Sequence, residues 1–196
     1  MKRYVFSLVL IAVMLFVFTA CNGNAPVSGN QANTPTDAEI EAAYQRAEEA
    51  YAWFEREVLP FDFDDYAIVQ DEVNTLPTEY YRVIHDSIST LADLEAHLRT
   101  IFTEDIVRSL MNNNVMLYRD IDGALYTVGA ERGGRMDAGD EVHEIIRESD
   151  NRIIYRITVD ILDWDTLETV VDTEVHEFVY ELIDGQWLFS NFNLTR

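Results

Sequence analysis

Two arginines, five carboxylates and a run of glycines crowd one short stretch of this chain. The segment DGALYTVGAERGGRMDAGDEV, residues 122–142, carries Arg132 and Arg135 with Glu131, Asp137 and Asp140 beside them, and five of the chain's eight glycines. Guanidinium groups offer planar, multidentate donors to carboxylates and phosphates. Gly133 and Gly134 open backbone conformations closed to other residues. The spacing does not make a phosphate cradle. VGAERGGRM has neither the P-loop nor the GxGxxG order, and no helix is predicted to follow and present its N-terminus. About a dozen residues without sheet periodicity is long for a connection between strands, and such loops are often functional. Two readings stand: a surface that touches another molecule, or a connection whose charges pair among themselves.

The other residues able to do chemistry are sparse. Cys21 is the only cysteine, and no serine sits in a GxSxG elbow. His85, His97, His143 and His176 are widely scattered, without the helical HExxH spacing of a zinc site. Asp160, Asp163 and Asp165 in DILDWDTLE provide oxygen ligands, yet the spacing misses a calcium loop and no glycine supplies its bend. A hairpin tip is the simpler reading, as a solvated acidic loop is for FDFDD near residue 62. No catalytic residue, metal or cofactor is implied.

The elements that must hold this loop follow from periodicity. Thr36 and Glu39 have capping-box spacing, and Ile40, Tyr44, Ala47, Tyr51 and Phe54 make one apolar stripe, which predicts a helix. YYRV reads as extended. A second helix starts near Thr90, carrying Leu91, Leu94, Leu98, Ile101 and Phe102 inward. A restart at Thr103 ends at Asn112–Asn114, since Asn tolerates the left-handed conformation. From Val115 the period becomes two. Asp122-Gly123 and Asp184-Gly185 are hairpin turns, and Ile153, Tyr155, Ile157, Val159 and Ile161 share a face. The expected fold is α+β: two or three N-terminal helices packed on a twisted antiparallel meander of five or six strands.

The first residues give an address. Lys2 and Arg3 precede an uncharged apolar run from Tyr4 to Phe18, shorter than the roughly twenty residues a spanning helix needs and suited to a signal peptide. FTAC, Phe18–Cys21, resembles the lipobox of bacterial lipoproteins, with Phe18 where Leu is usual. That implies a signal peptide at 1–20, lipidation of Cys21, and export to the outer face of the cytoplasmic membrane. Two acyl chains would hold it there stably. Residues 21–35 lack charge and large side chains and read as a disordered tether with a reach of about 20 Å. Residues 36–196 are then a single domain.

The chain has 14 Lys and Arg residues against 36 Asp and Glu, a net charge of −22. Such a surface repels nucleic acid and anionic headgroups and attracts cationic proteins. Membrane contact is expected through the lipid alone.

The order YYRV, TLADLEAHLRTIFTEDIVRSL, DGALY, ERGGRMDAGD and a closing DGQWLFSNF resembles the IseA-type D,L-endopeptidase inhibitor family, over residues 40–193. Those exported bacterial proteins block the active-site cleft of NlpC/P60-type cell-wall hydrolases. The resemblance implies a protein inhibitor whose partner is such an endopeptidase. The contact residues would be Glu131, Arg132, Gly133, Gly134, Arg135, Asp137 and Asp140. Two alternatives belong to other classes. An NTF2-like cone would hold a small ligand in a hollow lined by Tyr44, Trp53, Tyr155, Phe178 and Trp187. An acidic scaffold would bind a basic exported protein.

Overall fold

The structure is a computed structural model that describes residues 34–70 and 76–196. The apolar N-terminal run, Cys21 and the tether up to residue 33 lie outside the described residues. Helix α1, Asp37–Glu55, opens on the expected capping box. The Thr36 hydroxyl accepts from the Glu39 amide at 3.3 Å, and the Glu39 carboxylate accepts from the Thr36 amide at 2.8 Å. Both bonds satisfy donors that the first turn would leave orphaned. The expected stripe is buried at Ile40, Tyr44, Ala47 and Phe54, and widened by Ala43, Ala50 and Trp53.

Strands β1, Phe61–Val69, and β2, Thr78–Val83, follow α1 directly. Helices α2, Leu91–Leu98, and α3, Glu104–Asn113, come next, then β3, Tyr118–Ile121, and β4, Ala124–Thr127. These four strands form an antiparallel sheet in the order β1-β2-β4-β3. A second antiparallel sheet holds β5, Ala138–Ser149, β6, Arg152–Leu162, β7, Val170–Ile183, and β8, Gln186–Phe189, in sequence order.

The fold is α+β as expected, but among the described residues the strands number eight and divide between two sheets. FDFDD is the start of β1, not a loop. An edge strand with Asp62 and Asp64 turned to solvent hides its period behind carboxylates. Helix α3 ends where expected, with Asn114 as its C-cap, but not through a left-handed residue. Asn114 is not left-handed (φ −123°), and its side-chain amide donates to the Leu110 carbonyl at 3.0 Å.

The core lies between α1 and the second sheet, continued by α2, α3 and the first sheet. Tyr44 stacks on Tyr155 at 4.6 Å between ring centroids, and Phe178 on Phe192 at 4.7 Å. Full burial of side chains such as Leu94, Leu98 and Phe102 stabilises the fold by about 1.5–3 kcal/mol each. The turn between α2 and α3 docks on β8. Phe189 donates to the Ile101 carbonyl at 2.9 Å and accepts from Thr103 at 3.0 Å. Both expected hairpin turns are present, with φ of 50° and 81° at Asp122-Gly123 and 50° and 87° at Asp184-Gly185.

Candidate functional site

The glycine-rich segment runs from the end of β4 to the start of β5, and its crest is exposed from Glu131 to Met136. Both of its arginines have donors engaged within the chain. The Arg132 amide donates to the Arg56 carbonyl at 2.8 Å, and its Nη1 donates to the Phe54 carbonyl at 2.9 Å. The Phe54 carbonyl belongs to the last turn of α1 and the Arg56 carbonyl to its C-cap residue, at the end where acceptors lack intrahelical partners and the helix dipole is negative. That turn has no basic residue of its own. Arg132 supplies it from the loop.

Arg135 is likewise engaged. Its Nε and Nη2 donate to the two Asp137 carboxylate oxygens at 2.8 and 3.3 Å, and its Nη1 pairs with Glu174 on β7. Hydrogen bonds from Arg135 hold both carboxyls below the usual range. The same bonds push the guanidinium upward. So one foot of the loop is fastened to a helix end and the other to a strand.

The glycines divide by role. Gly133 has φ +73° with open space where a Cβ would sit, so the backbone conformation requires it. Gly139 and Asp140 lie in β5 rather than in the loop. A Cβ on Gly139 would stand 3.0 Å from Leu162 Cδ2 and 3.2 Å from Asp160 Cβ, where the β5–β6 register shifts. Gly139 answers to packing. Asp140 is exposed on the strand, and Glu131 makes no hydrogen bond or ion pair among the described residues.

Two clefts flank the crest. One, of about 480 Å³, has Tyr51, Arg56, Gly133, Gly134, Arg135 and His176 in its walls, with Thr195 and Arg196 closing it. The other, of about 550 Å³, lies between Val58–Phe61, Phe63 and Gly129–Glu131. The loop is thus a ridge with a groove on either side.

A polar chain that sequence reading missed borders the first cleft. Glu141 Oε1 accepts from the Thr195 hydroxyl at 2.8 Å and Arg196 Nε at 2.9 Å. Its Oε2 lies 3.4 Å from His143 Nε2, and His143 Nδ1 shares a 3.0 Å hydrogen bond with the Tyr155 hydroxyl. Burial pushes against ionisation of Glu141, but the bonds from Arg196 and Thr195 prevail and hold its pKa below normal. Burial raises the Tyr155 phenol to about 12. Carboxylate, imidazole and phenol stand in an order that can pass a proton. Here they also stitch the last residues to β5 and β6. The only sequence signal was Glu141 and His143 two apart, on one strand face.

His85 and His97, far apart in sequence, meet at 6.2 Å between ring centroids beside Trp53. Burial and then His85 lower the His97 pKa. Among the described residues no three His, Cys, Asp or Glu side chains gather as a metal would need. Asp163 Oδ1 instead accepts from the amides of Asp165 and Thr166 at 3.2 and 3.0 Å, shaping the β6–β7 tip. Of the five aromatics proposed to line a hollow, Tyr44, Trp53, Tyr155 and Phe178 are buried in the core and Trp187 is half-buried. The space beside Trp187 is about 10 Å³, room for one water at most.

No protein-family model matches the chain, and no curated protein matches it.

Proposed function

We propose that this chain is an exported, lipid-anchored protein that binds a cell-wall D,L-endopeptidase of the NlpC/P60 type and occludes its active-site cleft with the ridge. The observation that carries this reading is the construction of residues 131–136: an exposed crest whose two arginines are fastened to α1, Asp137 and Glu174. A segment already held in one shape loses little conformational freedom on docking, which favours a plug over a flexible loop. Its resemblance to IseA-type inhibitors centres on the same segment. The charge of −22 suits a partner with positive potential and acts mainly on association rate. In this reading Arg132 and Arg135 shape the ridge, while Glu131 and the Gly133–Gly134 backbone make the contact.

The test is inhibition of a purified NlpC/P60-type D,L-endopeptidase, acting on peptidoglycan, by the full-length protein. The expected result is saturable inhibition that Glu131→Arg weakens about tenfold, in keeping with the loss of a central contact. No inhibition by the unaltered protein rejects the reading.

A further inference from the structure

The second cleft has features that an inhibitory ridge alone does not call for. One wall is aromatic. Phe61 lies 4.6 Å from Phe63 and 5.2 Å from Tyr81 between ring centroids, and Phe63 lies 5.5 Å from Tyr81. Phe63 is nonetheless 71 % exposed, a large apolar ring left in water. It sits there because β1 slips register against β2 between Asp62 and Tyr66, and such bulges re-aim side chains at functional edges. Gly129 brings the ridge backbone onto this wall. A Cβ at that position would lie 3.4 Å from the Tyr81 ring and 3.6 Å from that of Phe61.

Carboxylates supply the polar part. Glu131 and Glu57 both line the cleft. Glu131 is unpaired among the described residues, and Glu57 has only a loose 3.9 Å approach to Arg56. Asp62 and Asp64 are exposed on the same strand. Val58, Leu59 and Pro60 complete an apolar lining.

We propose that this cleft is a socket for a basic side chain, arginine above all, presented by a partner protein. An arginine fits each part: its methylenes lie along Val58 and Pro60, its planar cation over Phe61 or Phe63, and its donors reach Glu131. This goes beyond the inhibitor reading, since any partner with a protruding arginine would satisfy it. A neutral sugar stacking on the aromatic wall is the competing occupant, and it would not depend on the carboxylates.

The test titrates ¹⁵N-labelled full-length protein in detergent micelles with three probes: N-acetyl-arginine methylamide, its uncharged citrulline analogue, and N-acetylglucosamine. The expected result is amide shifts confined to Phe61, Phe63 and Gly129–Glu131, with citrulline weaker by about tenfold. E131Q should weaken the arginine probe and F63A should abolish the shifts. Phe63 is mostly exposed, so F63A should melt as the parent does. Equal binding of citrulline, stronger binding of the sugar, shifts spread over all acidic faces, or no shift would each overturn the proposal. Loss of endopeptidase inhibition alone would not touch it.

Discussion

The guanidinium of Arg132 donates to the carbonyl of Phe54 at 2.9 Å, across 78 positions of sequence. One side chain thereby closes the end of α1 and fixes the crest of the ridge. Arg132→Ala should lower stability by about 1 kcal/mol, the scale of one charge-assisted bond at a helix C-terminus, read by urea denaturation. It should also speed cleavage after Glu131 by a glutamyl endopeptidase. Arg132→Lys keeps the charge and should recover part of the stability.

Gly139→Ala should destabilise the fold by about 1–3 kcal/mol, because the added carbon meets Leu162 and Asp160 across β6. Gly133→Ala introduces no clash and should cost about 1 kcal/mol from its positive φ alone. Thermal melts of the two variants separate a packing glycine from a conformational one.

The pH profile follows from the signs of the shifts. Glu141, Asp137 and Glu174 have depressed pKa values in the folded chain. Their contributions are fully present above the unfolded carboxylate value, about 4.3 for Glu and 3.9 for Asp. They are lost as pH falls through the folded values. Denaturation midpoints should therefore drop below about pH 4, and E141Q should flatten that drop. At the other end Tyr155, raised to about 12, stabilises below the unfolded phenol value and fails as pH rises through its own. Y155F should remove part of the alkaline limb above about pH 10.

Cys21→Ala should abolish incorporation of labelled palmitate and release the protein from the membrane fraction. Unchanged fractionation would mean that the apolar N-terminal run itself is the anchor.

Much of the fold was legible because it obeys local rules. The Thr36–Glu39 box, the two Asp-Gly turns and the α1 stripe each lie within a few residues of sequence, and each is present. β1 was hidden by its own edge position, where exposed aspartates replace the alternation that burial would impose. The loop's prominence could also be read, but not the fate of its arginines. Arg132 bonds to backbone carbonyls, which leave no mark in residue type, and Arg135 reaches Glu174 on a distant strand. The alternative left open for that segment, charges pairing internally, describes Arg135 with Asp137, but not Arg132, whose donors go to backbone carbonyls at the end of α1. It does not describe Glu131. The socket wall was illegible for a related reason: Phe61, Phe63 and Tyr81 meet only through strand pairing and a bulge.

The distance between α1 and its partners has a kinetic consequence. A nascent chain makes α1 first, yet the rings that cover Tyr44 belong to Tyr155, Phe178 and Phe192, and its last turn waits for Arg132. Contacts of such sequence separation form late and slowly. Until synthesis is complete the helix carries a bare apolar stripe, the kind of surface that holdase chaperones protect. The ridge should therefore take its shape in one step, with the later strands, and never in a half-made molecule.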